Sequence, residues 1–408
     1  MRLLYFIVPV FLFLTVQHTV ETNKVPASYE DKARIITGAE QLDAYLPYLK
    51  GKKVGMLVNQ TSIIGKRSIV DSLHALGVDI RYVFGPEHGF RNNASNGGEV
   101  AGETDAATGI PIVSLYGNKR RPSKNEMEAI DIMIFDIQDV GCRFYTYINT
   151  LRDVMEACAE SGKEMLILDR PNPNGFVDGP ILDMKYSSGI GRFPIPITHG
   201  MTIAEFAQMI NGEGWMAKKQ PCKLKIIPLK NYRHNMDYTL PSAPSPNLNT
   251  QQSILLYPSL CLFEGTIISQ GRGTYMPFTV LGSPDLKGLY DFNFKPVSLK
   301  GMSEAPLHQD KICYGLDLRK YDMTEFRKKG KINIQWMVDL YKQYPAKEKF
   351  FDRRISPAMG DINLLAGTKE FKEQIISGKT EAEIRRSWEP GLWAYKKMRM
   401  RYVLYPDK

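Results

Sequence analysis

The sequence is poor in the residues and motifs that build metal, redox and disulfide sites. It has only five cysteines, an odd number, and none forms a C-x-x-C pair. A disulfide framework is therefore not expected, and the thiols are predicted to be small buried side chains. The histidines and carboxylates show no metal-ligand spacing, so neither a metal nor another cofactor is predicted.

Motifs for nucleotides and for serine hydrolases are missing as well. No G-x-G-x-x-G follows the first predicted strand, and neither a G-x-x-x-x-G-K-[ST] loop nor a G-x-S-x-G elbow occurs. The net charge is +9, but the Lys and Arg residues are dispersed, so no nucleic-acid-binding stripe is predicted. Dispersed positive charge suits an anionic polymer or an acidic sugar, and equally a solvated surface.

The only long apolar run lies at the start of the chain. Met1 and Arg2 precede apolar residues 3–16, a run shorter than the roughly 20 residues of a relaxed membrane span. This pattern predicts a signal peptide over residues 1–22, cleaved between Gln17 and Asn23. We therefore expect an exported protein, periplasmic or secreted, with no integral membrane span after cleavage.

Apolar runs alternate with amphipathic stretches from about residue 50 to 230. This alternation predicts an α/β fold, in which a Rossmann-like, mostly parallel sheet carries helices on both faces, assigned to residues 35–250. The Pro- and Asn-rich loop 241–249 is the best candidate linker. Residues 251–408 are predicted to form a smaller C-terminal α/β or α+β auxiliary domain. The predicted strands are 53–59, 79–84, 112–116, 132–137, 165–169 and 223–227, and the predicted helices are 68–76, 147–161 and 202–211.

Polar residues follow the predicted strands of the first domain. Asn59, Glu87, Tyr116, Asp136 and Asp169 each lie at or just after a strand end. Because the carboxyl ends of parallel strands share one edge of a sheet, ligands bind in the crevice outside that edge. The strand assignments therefore predict that these residues converge on one site.

The loop FGPEHGFR, residues 84–91, is the first segment suited to chemistry. Glu87 is a candidate general acid or base, and His88 is a candidate for positioning it or for binding substrate. The flanking glycines permit a backbone path close to a ligand. Arg91 closes the segment as a candidate binding residue. A turn with solvated charges is the structural alternative.

The loop DIQDVGCRFYTY, residues 136–147, is the second segment. It combines carboxylates, an arginine fork and aromatic rings, a set that suits a carbohydrate with an acidic substituent. An Asp–Arg pair that holds the loop shut is the structural alternative. Asp136 and Asp139 are candidate catalytic residues, whereas Gln138, Arg143 and Tyr145 are candidates for binding.

Three other loop residues are candidate substrate-binding side chains. Arg170 lies in a proline-rich turn, His199 precedes a helix, and Asn247 lies in the linker. An isolated loop histidine is more often a hydrogen-bonded structural residue than a catalyst. Asp169 is interpreted as an internal clamp of its turn.

Glu264 and Arg272 lie beyond the linker, in a segment rich in glycine. Glu264 follows an apolar run, and we expect it to face Glu87 across an interdomain cleft. Glycoside hydrolysis typically uses two carboxyl groups, so this pair is a candidate catalytic pair.

Taken together, these segments resemble the exo-β-N-acetylmuramidase (NamZ) family from about residue 45 onward. The matching motifs are GPEHGFR, SLYG, FDIQDVGCRFYTY, LDRPNPNG, HGMT, PSPN and CLFEGT…GRGT. The resemblance implies a Rossmann-like N-terminal domain, a C-terminal auxiliary domain and an active-site cleft between them. It also implies release of terminal β-1,4-linked N-acetylmuramic acid from peptidoglycan fragments, with Glu87 and Glu264 as the family's glutamates.

The resulting hypothesis is an exo-acting glycosidase of cell-wall turnover that acts on peptidoglycan-derived saccharides. Glu87 is the principal general acid or base, and Glu264, or else Asp136 or Asp139, is its partner. A non-catalytic protein that binds cell-wall fragments or sugars is the alternative, since it needs the same cleft but no carboxylate pair. The candidate binding residues are Arg143 and Arg272 for the lactyl carboxylate, Tyr145 or Tyr116 for ring stacking, and His88, Arg91, Gln138, Arg170, His199 and Asn247.

Overall fold

The computed structural model of the protein describes residues 34–86, 89–91, 104–352 and 361–407, and six parallel strands form its central sheet. Every neighbouring pair of strands in this sheet is parallel. The strands, in chain order, are β1 (Lys53–Val58), β2 (Ile63–Ile64), β3 (Arg67–Ser68), β4 (Asp79–Gly85), β5 (Ile112–Ser114), β6 (Ile132–Asp136), β7 (Glu164–Leu168), β8 (Val177–Asp178), β9 (Thr198–His199), β10 (Lys223–Ile227), β11 (Val280–Ser283), β12 (Asn293–Phe294) and β13 (Cys313–Asp317).

The strand order of the central sheet is β10-β7-β6-β1-β4-β5. From β1 the chain first adds β4 and β5 on one side, and then crosses to add β6, β7 and β10 on the other. The order therefore reverses between β1 and β6, and such a switch point opens a crevice at the carboxyl ends of the strands. Asn59 directly follows β1, and Asp136 ends β6, so both residues lie at this crevice.

Two apolar layers sandwich the sheet. Along β6, Ile132 and Ile134 enter one core cluster, whereas Met133 and Phe135 enter the other. Strands covered on both faces need apolar residues at successive positions, which explains the uninterrupted apolar runs of the sequence.

The helices are α1 (Leu42–Leu49), α2 (Ile69–Ala75), α3 (Lys124–Glu128), α4 (Tyr147–Glu160), α5 (Ile203–Gly212), α6 (Gln251–Leu260), α7 (Met323–Lys329), α8 (Gln335–Gln343), α9 (Ile362–Ala366), α10 (Glu370–Ile376) and α11 (Glu381–Arg399).

Helices contribute to both layers. Tyr45 of α1 and Leu73 of α2 pack into the cluster on one face of the sheet. Leu151 of α4 and Phe206 of α5 pack into the cluster on the other face. The predicted α/β fold, with a parallel sheet and helices on both of its faces, is confirmed.

The C-terminal part of the chain contains a smaller antiparallel sheet of order β11-β13-β12, together with α7 to α11. Its apolar side chains continue the larger core, because Phe371 and Trp388 belong to the same cluster as Met133 of the central sheet. The chain from Ile35 to Lys408 forms one compact unit. The domain boundary at residues 250 and 251 stays a prediction.

All five cysteine side chains are buried and carry free thiols, as expected for small buried residues. Within the described ranges, no helix combines the length and the apolar content that a bilayer crossing requires.

Asp169 joins the end of β7 to the C-terminal segment. Its buried carboxylate accepts hydrogen bonds from the Ala204 N–H at 3.1 Å and from the Tyr405 hydroxyl at 2.6 Å. Burial raises the pKa of the Asp169 carboxyl to about 7, although the hydrogen bond from the Tyr405 hydroxyl by itself lowers this pKa. These contacts agree with a structural role for Asp169.

The raised pKa of Asp169 predicts a specific pH dependence of stability. The carboxyl binds its proton more tightly in the folded state, so its contribution to stability is complete below about pH 4 and is lost as the pH rises through about 7. We expect Asp169→Asn to remove this loss, which amounts to at most about 1.4 kcal/mol per pH unit. Urea unfolding at several pH values between 4.5 and 7.5 measures it, and equal slopes for parent and variant would contradict the assignment.

Candidate active site

Polar side chains tie the carboxyl ends of β1 and β6 to the linker. Asn59 accepts a hydrogen bond from the Thr61 hydroxyl, whose oxygen in turn accepts one from the Gln138 N–H at 3.0 Å. The Asn59 amide also donates to the Tyr147 hydroxyl at 2.9 Å. The Tyr147 and Tyr145 hydroxyls both donate to the carbonyl of Pro244. The strand ends thus converge, and the linker packs over them.

Asp136 and Arg170 form a buried, bidentate ion pair beside this network. Arg170 Nε and Nη2 donate to the two carboxylate oxygens of Asp136 at 2.5 and 2.9 Å. Arg170 Nη2 also donates to the carbonyl of Ile63 at 3.1 Å. Each carboxylate oxygen of Asp136 accepts one of these hydrogen bonds and both side chains are buried, so this geometry gives them a structural role. It does not support Asp136 as a catalytic residue or Arg170 as a substrate ligand.

A polar group near the carboxyl ends of β1 and β6 consists of Gln138, Asp139 and His199. The Asp139 carboxylate accepts from the Gly141 N–H at 2.7 Å, and its Oδ2 lies 3.6 Å from His199 Nε2. The Met201 N–H donates to His199 Nδ1 at 3.3 Å, so Nδ1 acts as an acceptor. Gln138 donates to the backbone carbonyls of Asp139 and Pro171.

Each residue of this polar group keeps one buried atom without a hydrogen-bond partner among the described residues. These atoms are Gln138 Oε1, Asp139 Oδ1 and His199 Nε2. Buried polar atoms in folded proteins almost always have a partner, often a water molecule. The group therefore has spare hydrogen-bonding capacity next to the crevice, which is compatible with its predicted part in the site.

Arg143 and Tyr145 lie in the core rather than in an open cleft. The Arg143 guanidinium is fully buried and donates to the carbonyls of Pro180, Ile195 and Leu365 at 2.7–3.0 Å. Tyr145 is buried with its ring edge-on to neighbouring tyrosines. This placement does not support the predictions that Arg143 binds the lactyl carboxylate and that Tyr145 stacks on the sugar.

Arg91 is held by two carboxylates. Its guanidinium donates to Asp105 at 2.7 and 2.8 Å and to Asp71 at 2.7 Å. The Arg91 guanidinium lowers the pKa of the Asp105 carboxyl. The pairing favours a structural role, in which Arg91 holds the end of its loop against α2.

The remaining two candidate binding residues, Asn247 and Tyr116, differ in how deeply they are buried. Asn247 is buried and donates to the carbonyl of Met302 at 2.7 Å, while its Oδ1 has no partner among the described residues. Tyr116 is half-buried, two residues after β5. Substrate binding by these two residues stays a prediction.

Glu264 and Arg272 form an ion pair that remains partly open to solvent. Glu264 lies in the short 3₁₀ helix Cys261–Gly265, and its side chain is 15% exposed, against 25% for Arg272. Arg272 Nε donates to Glu264 Oε1 at 2.7 Å, and Gln270 Nε2 donates to the same oxygen at 3.0 Å. Glu264 Oε2 and both Nη atoms of Arg272 have no hydrogen-bond partner in the part of the chain that the structure describes.

A row of aromatic rings connects this pair to the sheet edge. The Tyr145 ring meets Tyr257 edge-on, with centroids 5.9 Å apart, and Tyr257 meets Phe278 in the same manner at 4.9 Å. The Arg272 guanidinium lies 5.0 Å from the Phe278 ring centroid. A chain of neighbouring rings thus connects the Glu264–Arg272 pair to Tyr145 in the loop after β6.

Phe278 shows the most unusual backbone of this region. Its φ of 54° lies in the left-handed region, which is rare for a bulky residue and costs free energy. Burial of its ring and the hydrogen bond from its N–H to the Gln270 carbonyl at 2.7 Å hold it there. Sequence reasoning missed Gln270 and Phe278, although both lie in or beside the glycine-rich segment around Arg272.

Two predicted site residues, Glu87 and His88, lie outside the described residues. The pairing of Glu87 with Glu264 across a cleft therefore stays a prediction. Among the residues that are described, no cluster of three or more His, Cys, Asp or Glu side chains is arranged to hold a metal ion.

Two models of one protein family match almost the whole chain. The model described as "Exo-beta-N-acetylmuramidase NamZ, N-terminal" matches residues 54–252, and the corresponding C-terminal model matches residues 255–405. The chain belongs to this family. The resemblance to the NamZ family that the sequence motifs indicated is thereby confirmed.

Individual relatives agree with the NamZ assignment. The peptidoglycan beta-N-acetylmuramidase NamZ of Bacillus subtilis (strain 168) is 36% identical over 394 residues, covering 92% of each chain. A DUF1343 family protein from Bacteroides fragilis NCTC 9343, known from a crystal structure, is 44% identical, with a TM-score of 0.84 over 92% of this chain and 100% of that one. A second such protein from the same organism is 28% identical, with a TM-score of 0.73 over 91% and 99%.

The structural role of Asp136 in this NamZ-family chain can be tested by stability. Asp136→Asn leaves the buried Arg170 guanidinium without its counter-charge, and we expect a loss of about 3–5 kcal/mol in the free energy of unfolding. Replacing both residues, in Asp136→Asn with Arg170→Gln, should recover part of this loss. Chemical denaturation measures both variants.

A surface ion pair provides the control for this experiment. Asp79 and Arg81 are about half exposed, and their 2.8 Å contact is worth roughly 0–1 kcal/mol at most. Asp79→Asn should therefore leave stability nearly unchanged. Parent-like stability of Asp136→Asn would contradict the structural assignment.

Proposed function

We propose that this protein is an exo-acting glycoside hydrolase that releases terminal β-1,4-linked N-acetylmuramic acid from peptidoglycan fragments during cell-wall turnover. Its membership of the NamZ family supports this class of reaction and of substrate. The B. subtilis relative is named a peptidoglycan beta-N-acetylmuramidase.

The geometry of Glu264 is the observation that carries the proposal. Arg272 and Gln270 fix Oε1, while Oε2 has no partner among the described residues. A carboxylate held by one oxygen keeps a defined orientation and leaves the other oxygen for the reaction. Glycoside hydrolysis uses such groups as an acid, a base, a nucleophile or a partner for the 2-acetamido group of the substrate.

Arg272 is suited to recognise the acidic sugar. Its Nε is used by Glu264, and its two Nη groups have no hydrogen-bond partner among the described residues. A guanidinium binds a carboxylate with two parallel N–H donors. In our proposal Arg272 therefore holds the lactyl carboxylate of N-acetylmuramic acid beside Glu264, and it does so without Arg143.

The contacts of the other candidate carboxylates bear on the choice of a catalytic partner for Glu264. Asp136 is paired with Arg170 in the core, and Asp139 is buried with His199. Glu87 stays the first candidate for the general acid, since β4, which precedes it in the chain and ends at Gly85, ends at the same edge of the sheet as β6. Asp139 is the second candidate, because its Oδ1 has no partner among the described residues.

Turnover measurements test the two glutamates. We expect Glu87→Gln and Glu264→Gln each to lower kcat on a chromogenic β-N-acetylmuramide by roughly a hundredfold or more, because the amide transfers no proton. Glu389→Gln, at an exposed position of α11, is the matched control and should keep the parent rate.

Two outcomes would contradict the proposal. Near-normal kcat in Glu264→Gln would remove that residue from the reaction. Binding of muramyl saccharides by the parent protein, with unchanged sugar after prolonged incubation, would favour a non-catalytic binding protein instead.

We also propose that the protein is exported, to the periplasm or beyond. The apolar run behind Arg2 supports this step, with residues 1–22 removed. We expect the mature chain in the periplasmic or culture fraction to begin between Gln17 and Asn23, as measured by intact mass. Leu12→Arg places a charge in the apolar run and should leave the full-length chain in the cytoplasm. Export of Leu12→Arg with an unprocessed start would contradict the proposal.

A further inference from the structure

A groove of about 730 Å³ lies apart from the side chains described above. The loop after β7, the end of α7 and the C-terminal half of α11 form its walls. Its volume is typical of small-molecule sites, which range over roughly 300–1,000 Å³. None of its lining residues belongs to the candidate active site, so the groove needs an explanation of its own.

One stripe of α11 lines the groove with unusual side chains. Trp393, Lys396, Lys397 and Met400 are spaced at i, i+3, i+4 and i+7, so they lie on the same face of the helix. Trp393 is 69% exposed and Met400 is 61% exposed. A tryptophan left open to water forgoes a large hydrophobic stabilisation, and its flat ring is available to stack on a ligand.

The two lysines of this stripe carry uncompensated charge. Neither Lys396 nor Lys397 has an ion-pair partner among the described residues, whereas Arg399 in the same groove is paired with Asp407 at 2.7 Å. The Lys397 ammonium lies 5.8 Å from the centroid of the Trp393 ring. The groove therefore presents an aromatic face beside two free positive charges.

This combination fits a saccharide that carries carboxylates. A pyranose ring offers an apolar face to an aromatic side chain. Negative charge for the ammonium groups comes from the lactyl carboxylate where no stem peptide is attached, and from the carboxylates of the stem peptide where one is. We propose that this groove is a second saccharide-binding site, which holds an anionic peptidoglycan strand by stacking a sugar on Trp393 and pairing its carboxylates with Lys396 and Lys397. The proposal rests on the proposed function, because it takes peptidoglycan as the substrate.

Such a site keeps the enzyme on its polymer between cleavage events. An exo-acting enzyme meets few chain ends, so retention on the strand raises the local concentration of ends near the active site. We therefore expect the groove to contribute to binding of the polymer, and not to turnover of a small substrate.

Co-sedimentation of the mature chain with insoluble peptidoglycan tests the site. We expect Trp393→Ala, and the double variant Lys396→Gln with Lys397→Gln, to weaken binding by about fivefold to tenfold, in line with the loss of one stacking contact or two charge pairs. Trp393→Phe should retain most of the binding. The kcat/KM on a chromogenic β-N-acetylmuramide should stay at the parent value in all three.

A matched control separates a local effect from loss of net charge. Lys50→Gln with Lys342→Gln removes the same charge from two positions outside the groove. We expect this variant to bind peptidoglycan as the parent does. An amidase hydrolyses the amide bond between the lactyl group and the stem peptide, so it removes the peptide carboxylates and frees a lactyl carboxylate in their place. Lysine dependence that is lost on stripping assigns the peptide carboxylates, and lysine dependence that appears or grows on stripping assigns the lactyl carboxylate.

Three results would overturn the proposal. Parent-like binding of Trp393→Ala and of the double lysine variant would show that the groove holds no strand. Equal loss of binding in the control variant would show that the lysines act only through the net charge of the protein. Loss of binding to phosphatidylglycerol vesicles by the groove variants, with peptidoglycan binding intact, would assign the groove to a membrane surface. Failure of the parent protein to cleave the chromogenic substrate would instead refute the proposal that it is a hydrolase. The binding assay would still show whether the groove binds peptidoglycan.

Discussion

The buried guanidinium of Arg143 holds together the two halves of the chain. It extends from the loop after β6 and donates to the carbonyls of Pro180 and Ile195, and to that of Leu365 at the end of α9. Removing a charged group from water is costly, and around Arg143 several backbone dipoles replace the water. The loop that carries Gln138 and Asp139 and the helix that follows it are therefore fixed relative to the C-terminal part, where Glu264 lies.

The prediction from sequence was strongest where burial dictates the residue pattern. The strand at 223–227 is predicted with its observed limits, and β6 ends one residue before the predicted limit at 137. Continuous apolar runs between turns leave few alternatives in a parallel sheet. The short helix α1, which contains Pro47, and the β2–β3 hairpin were missed, because neither carries a long periodic pattern.

The roles of individual polar residues were harder to predict. The sequence motifs predicted the same binding role for Arg143 and Arg272. The tertiary contacts differ, because Arg143 is buried among backbone carbonyls whereas Arg272 is partly exposed beside Glu264. The carbonyl partners of Arg143 lie 37, 52 and 222 residues away along the chain, so no local pattern reports them. Glu264 and Arg272 lie within one glycine-rich segment, and the structure pairs them as neighbours at 2.7 Å. Local signals thus sufficed for this pair, whereas the buried ion pair of Asp136 and Arg170 depended on the order of β6 and β7 in the sheet.

The contacts of Asp169 and Glu205 have a consequence for how the molecule is made. Both carboxylates lie far upstream of their partners, which include the Tyr405 hydroxyl and the N–H groups of Leu404 and Tyr405. During synthesis these acceptors stay without those donors until residues 404 and 405 have emerged from the ribosome. The hydrogen bonds that join the end of β7 and helix α5 to the C-terminal segment can therefore form only after nearly all of the sequence has been synthesised.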